Sequence, residues 1–272
     1  MIKTLSRAAL FAVLLFTFLL MGCTRTKEPP HYSVSQGPLR DSSSFRDPEL
    51  ESEAESTQEE TTEPPEEAIF EEPLTREDFF AEPLPDDVIN RMMGVSYPYG
   101  IEPPVSLSDL SYLHLYHIDF NGDTALGEMV CHKDVAEDLL DIFYELYAIR
   151  YPIQSIRLID DYEGNDELSM QANNTSCFCY RMVDGETYLS SHSYGRSVDL
   201  NPLYNPMVSL FEGKTYYSPR AGREYGDRSR DFDHKITKED PAFQIFNDHG
   251  FYWGGSWTGP RQDYMHFEKI DQ

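Results

Sequence analysis

The C-terminal two-thirds of the chain is predicted to be an α+β domain with a mostly antiparallel sheet. Three observations carry this. A stretch of alternating side chains meets a second one across Asn121-Gly122, a hairpin signature. One long segment has helical spacing. The remaining elements are short and mixed, with no regular strand–helix–strand rhythm that would build a parallel sheet.

Taken in order, Leu84-Pro85-Asp86-Asp87 followed by Val88, Ile89, Met92 and Met93 reads as a short helix closed by Gly94. Tyr112 to Phe120 alternates as a strand, with Leu113, Leu115 and His117 on one face. Gly127 to His132 returns as its partner. From about Asp134 to Arg150, Val135, Leu139, Ile142, Leu146 and Ile149 recur at helical spacing, and Pro152 stops the helix. Ser155 to Tyr162 and Thr175 to Val183 read as two more strands. Asp240-Pro241 opens a helix that Gly250 closes, and Asp263 to Lys269 is a short extended piece.

The N-terminal third is different. Residues 1–23 read as a lipoprotein signal peptide. Lys3 and Arg7 give a positive start, and Ala8 to Met21 is an apolar run of 14 residues. At the helical rise that run spans about 21 Å, short of the roughly 30 Å hydrocarbon core. It ends Leu20-Met21-Gly22-Cys23, which resembles a bacterial lipoprotein cleavage box and implies lipid on the Cys23 sulfur. The expected location is therefore outside the cytoplasm, lipid-anchored to a bacterial membrane and facing the cell wall. Thr24 after Cys23 permits outer-membrane sorting in a cell that has such a membrane.

Residues 24–90 hold 19 Asp and Glu against 5 Lys and Arg, and nine of the 18 prolines. Such a segment buries too little apolar surface to offset its ordering entropy and reads as a disordered acidic linker. Its r.m.s. span is about 45 Å before self-repulsion is counted. The folded domain starts between Thr75 and Met92, and the boundary is set at 91, giving a domain over 91–272. The formal net charge of −26 argues against nucleic acid as a partner. A monomer is expected.

Cys131, Cys177 and Cys179 are an odd set and make no complete disulfide framework. Either Cys131 pairs with one of the others or all three are buried thiols; buried thiols are favoured. The Asp119-Phe120-Asn121-Gly122-Asp123 loop is not an EF-hand, because its Gly stands fourth rather than sixth and the closing Glu is missing. Of the eight histidines, His31 lies in the linker, and His114, His117 and His132 sit in the hairpin region. His234 and His249 lie near a helix and its end.

Two segments carry chemistry. Ser190-Ser191-His192-Ser193-Tyr194-Gly195-Arg196-Ser197-Val198-Asp199 places a His and an Asp seven apart, with Gly195 free to turn the backbone. Trp253-Gly254-Gly255-Ser256-Trp257 precedes Asp263-Tyr264-Met265-His266, which places a carboxylate three residues before a His. A catalytic zinc takes three protein ligands and keeps one open position. His192, Asp199 and His266 can fill those places, leaving Asp263 as general base. Spacing alone leaves the plainer reading open, that a His and an Asp lining a loop are surface groups.

The first segment resembles the Ser-x-His-x-x-Gly-x-Ala-x-Asp signature of the peptidase M15 family, which holds D-alanyl-D-alanine carboxypeptidases and dipeptidases and L-alanyl-D-glutamate endopeptidases. Asp263-x-x-His266 is similar to its second signature. Ser169-Met170, then Asn173-Asn174-Thr175-Ser176-x-Phe178-x-x-Arg181, resembles the endolysin-type branch. The resemblance runs from about Met92 to the end, and Ser197 departs from it in standing where Ala is usual.

The resemblance implies one zinc ion on His192, Asp199 and His266, Asp263 as base, and Arg181 polarising the scissile carbonyl. It implies a peptidoglycan stem peptide as substrate, cut at D-Ala–D-Ala or at L-Ala–D-Glu. Ser190 and Tyr194 are weaker candidates for substrate contact, and Arg196 and Arg261 are candidate cations for a free carboxylate. Trp253 and Trp257 read as core more than cleft, Asn173 and Asn174 as backbone binders, and Asp166 and Glu167 as a solvated turn. The alternative function is a lipoprotein that binds wall peptide without cutting it. In a regular strand Asp263 and His266 would point to opposite faces, so residues 263–266 are predicted not to form a plain strand.

Overall fold

A computed structural model describes residues 73–183 and 186–270. The signal peptide, Cys23 and most of the acidic linker lie outside the described residues. The last part of the proposed linker does not behave as one. Phe79 is buried among Tyr116, Tyr144 and Tyr147. Phe80–Pro83 forms strand β1, and Asp86–Met92 forms helix α1, whose Val88 and Met92 are buried. Ordered structure thus begins inside the 75–92 window and ahead of residue 91, because the few apolar residues among these acids anchor the segment.

Leu110–Ile118 (β2) and Thr124–His132 (β3) form the expected hairpin. Between them the Asp119 carboxylate accepts the backbone N–H groups of Asn121 and Asp123 at 2.8 and 2.9 Å. β1 adds to the other edge of β2, so the first sheet has the order β1-β2-β3, all antiparallel. Leu113, Leu115 and His117 alternate into the interior as expected.

Helix α2, Ala136–Ala148, lies on this sheet through Leu139, Leu140, Ile142, Phe143 and Leu146. It is preceded by a single 3-10 turn, Lys133–Val135, which is capped by the His132 side chain accepting from the Asp134 N–H. Ile149 was expected on the buried face but is 52% exposed. The helix ends before it, the chain reverses at Arg150 with φ +56, and Tyr151 and Ile153 enter the core instead.

The two strands expected next are cut short. Only Ser155–Ile156 (β4) and, after helix α3 at Asp166–Gln171, Asn174–Thr175 (β5) pair, and they pair in parallel. A 3-10 turn, Ile159–Tyr162, replaces the end of the first. Residues 176–183 make isolated bridges rather than a strand.

Two small antiparallel sheets complete the fold. Ser197–Asp199 (β6) is followed by an unanticipated hairpin, Met207–Phe211 (β7) and Lys214–Ser218 (β8). Helix α4, Pro241–Asp248, is capped by Asp240 and left at Gly250 with φ +79. Tyr252–Trp253 (β9), Arg261–Asp263 (β10) and His266–Glu268 (β11) then join in the orders β10-β7-β8 and β6-β11-β9. Phe246, Phe251 and Phe267 seal this half against Phe143. The architecture is α+β with mostly antiparallel sheets, as predicted. Cys131, Cys177 and Cys179 are buried free thiols, and burial pushes all three above the ordinary thiol range. Among the described residues no helix is long and apolar enough to cross a membrane.

Candidate active site

Three chain segments bring His192, Asp199 and His266 together. The first is a 3-10 turn, Ser191–Tyr194, capped by the Ser190 hydroxyl, which accepts from the His192 N–H at 3.3 Å. It is left through Gly195 at φ +66. A Cβ there would fall 2.7 Å from the His132 nitrogen, which donates to the Gly195 carbonyl at 2.8 Å. Only glycine fits this contact between the turn and β3. The second segment is β6, whose Asp199 stands directly opposite His266 of β11, the third. Cross-strand partners share a sheet face, so register delivers the carboxylate to the imidazole.

The resulting group is compact and buried. His192 Nε2 lies 3.2 Å from one Asp199 oxygen, and His266 Nδ1 lies 3.0 Å from the other. The two ring nitrogens are 3.3 Å apart. The outer nitrogens are held as well. His192 Nδ1 meets the Cys177 carbonyl at 2.6 Å, and His266 Nε2 has the Ser191 hydroxyl at 3.3 Å and Glu268 at 3.7 Å. Burial alone would raise the Asp199 pKa, but the His192 and His266 imidazoles outweigh it and hold the carboxyl well below its usual range. His266 is opposed by burial but pushed up to about 10 by Asp199 and Glu268.

These separations fit a metal ion. A tetrahedral centre with ligand bonds of about 2.0–2.1 Å has ligand atoms about 3.3–3.5 Å apart, close to the 3.0–3.3 Å seen here. Two imidazoles and one carboxylate are a zinc-type donor set, and each imidazole has an outer partner to orient it. Among the described residues this is the one group of three such side chains close enough to hold a metal.

Asp263 reaches the same place by a different route. Residues 261–263 belong to one sheet and 266–268 to another, with a bend at Tyr264-Met265 between them. The Trp253 indole donates to the Tyr264 carbonyl at 2.9 Å, and the Leu200 N–H donates to the Met265 carbonyl at 2.9 Å. Residues 263–266 are thus not a plain strand, as the spacing required. Asp263 Oδ1 is buried with no hydrogen-bond partner among the described residues. Burial, with the charge of Asp199 added, pushes its pKa up to about 7.

A cavity of about 620 Å³ opens over the group, and Arg181, Ser190, Tyr194 and Asp263 all line it. The Arg181 guanidinium is fixed by Asp166 at 2.7 Å. Asp166 was read as part of a solvated turn; it instead opens α3 and faces the cleft. Trp253 is core, but Trp257, also read as core, lines the cleft 5.6 Å from the His266 ring. Arg196 lines a separate recess, bonded to the Lys269 carbonyl at 3.4 Å and near Asp134 at 3.5 Å. Asn173 and Asn174 are buried and bind the backbone of Leu203 and Arg157. The outer partners Ser191, Glu268 and the Cys177 carbonyl were missed. For Glu268 the spacing two residues after His266 was the available signal.

The family model described as D-alanyl-D-alanine carboxypeptidase, an M15 peptidase model, matches residues 184–269. Residues 184–269 are thus similar to the M15 peptidases. The matched stretch spans the His192–Asp199 segment and the Asp263–His266 segment. Arg181 and the Ser169–Phe178 stretch fall outside it; of these residues Arg181 and Met170 line the cavity. No curated protein and no solved structure matches the chain.

Proposed function

We propose that the protein is an exported, lipid-anchored zinc peptidase that hydrolyses peptidoglycan stem peptides. The observation that supports it best is the buried His192–Asp199–His266 group beside a carboxylate, Asp263, whose oxygen is committed to no other residue. Anchorage through Cys23 follows from the Leu20–Cys23 box and accords with an insoluble substrate near the membrane.

A zinc ion held by His192 Nε2, Asp199 and His266 Nδ1 would supply Lewis acidity, polarising an amide carbonyl and acidifying a water. Asp263 Oδ1 accepts the proton of the attacking water and delivers it to the leaving amine. Its buried, unpartnered position beside the ligand group is suited to both steps. Arg181, held by Asp166, places a fixed cation toward the oxygen on which charge develops. Trp257 and Met265 line the cleft beside these groups.

The test is mass spectrometry of purified stem peptides incubated with the full-length protein in detergent, with zinc or with chelator. Zinc-dependent loss of a terminal D-alanine, or a zinc-dependent cut after L-alanine, supports the reading. Binding of stem peptide without any product supports the non-catalytic alternative.

A further inference from the structure

Taking the cleft as that of a peptidase, its second cation has no assigned task. Arg181 is paired with Asp166. Arg261 also lines the cavity and is only partly exposed, yet its side chain has no hydrogen bond or ion pair among the described residues. The cleft carboxylates do not neutralise it. Asp166 is held by Arg181, Asp199 by the two imidazoles, Glu268 stands beside His266, and Asp263, on the same strand as Arg261, makes no ion pair with it. A partly dehydrated guanidinium with no counter-ion is a ready acceptor for a planar anion, which it can take through two parallel hydrogen bonds.

The position of Arg261 limits what that anion is. It stands two residues before Asp263 on β10, and alternate residues of a strand share a face. Their Cα atoms are thus about 6.5–7 Å apart, the span of about one extended dipeptide step. The strand is fixed by its pairing to β7, Arg261 opposite Ser209 and Asp263 opposite Met207. The Gln262 side chain points the other way and donates to the Gly259 carbonyl at 2.9 Å. A peptide whose scissile bond lies at Asp263 therefore brings an adjacent residue within reach of Arg261, and a free carboxylate is found on the leaving side.

We propose that Arg261 is a specificity residue that binds a free α-carboxylate on the first residue of the leaving side. Two wall-peptide bonds present that group. One is a C-terminal D-Ala–D-Ala bond. The other is an L-Ala–D-Glu bond whose glutamate continues through its side-chain carboxyl and so keeps its α-carboxylate. Amidation removes the recognised charge in either case. Arg196, the other cation that the sequence offers, serves a different recess.

The experiment uses four peptides, a stem ending in D-Ala–D-Ala and its C-terminal amide, and a γ-linked D-Glu stem and its α-amide. Cleavage is followed with the zinc-loaded full chain, and binding by calorimetry with zinc-loaded Asp263→Asn. Each is repeated with Arg261→Ala and Arg261→Lys. The acid of one pair is expected to be preferred over its amide by roughly tenfold to a hundredfold, mainly in KM and Kd. Arg261→Ala should abolish that preference and Arg261→Lys should restore part of it. The pair that responds identifies the bond. Equal handling of acid and amide by the parent, or a preference that survives Arg261→Ala, overturns the assignment. Absence of cleavage with the carboxylate preference intact in calorimetry would overturn the peptidase reading and leave the carboxylate site standing. Absence of binding by all four peptides overturns both.

Discussion

Gly254 stands against the backbone of Asp263 so closely that a Cβ on the glycine would fall 2.6 Å from the Asp263 carbonyl oxygen. It would also lie 3.2 Å from the His266 Cβ. The bend that carries Asp263 and His266 into one site is thus moulded on the absence of a side chain. Gly254→Ala must move that bend. The expected result is a loss of about 1–3 kcal/mol, read as a fall of several degrees in Tm, with activity reduced at least about tenfold. Unchanged kinetics in Gly254→Ala would show that the close approach does not position Asp263.

The ligands and the base should separate cleanly in mutants. Asp263→Ala is expected to bind zinc stoichiometrically and to lose roughly a hundredfold to ten-thousandfold in kcat. His192→Ala and His266→Ala should lose the metal and the activity together. Metal content by atomic absorption beside steady-state rates makes the distinction. Asp263→Ala cleaving as fast as the parent would remove it from the mechanism.

Ser197 stands where the resembling signature has Ala. Its side chain is fully buried, and its hydroxyl has no partner among the described residues. Removing an unsatisfied buried hydroxyl is neutral or favourable. Ser197→Ala is therefore expected to raise stability by up to about 1 kcal/mol in urea unfolding, with zinc affinity unchanged. A destabilised variant would mean that the hydroxyl is satisfied in solution.

His117 gives a pH dependence remote from the site. Burial lowers its pKa from 6.5 to about 4, so the unfolded chain binds this proton more readily than the folded one. Stability from His117 is full above pH 6.5 and falls as pH drops toward 4, by at most about 3 kcal/mol. The difference in unfolding free energy between parent and His117→Asn should change by up to about 1.4 kcal/mol per pH unit in that window. A pH-independent difference would contradict the buried neutral imidazole.

Much of this was legible in local pattern. The β2–β3 hairpin, α2 and α4 carry strong periodicity and turn or cap residues of their own, and they form close to where the sequence places them. The spacing conflict between Asp263 and His266 even required the bend that the chain makes. What was illegible depends on distant partners. β1 and the burial of Phe79 exist because β2 and α2 are there to receive them. The β7–β8 hairpin is short and partly exposed, with weak alternation. The strand expected over 175–183 is only bridged, because its hydrogen bonds go to Val130, Ser96, Asp199 and the 188–193 region instead. Asp166 could not be placed in the cleft from sequence, since its ion pair there is with Arg181, fifteen residues on.

The two-residue bend after Asp263 also divides ownership of the site. The metal-type ligands Asp199 and His266 sit in the sheet β6-β11-β9, which is tied into the aromatic core through Phe267. Asp263 and Arg261 sit in β10-β7-β8, whose hairpin tip exposes Leu210 and Phe211. The sheet that carries Asp199 and His266 is thus distinct from the one that carries Asp263 and Arg261, and the two meet at the Tyr264-Met265 bend and against Gly254. Because Met207 pairs with Asp263 and Ser209 with Arg261, a change in this hairpin acts on the Asp263 strand before it reaches the sheet that carries Asp199 and His266.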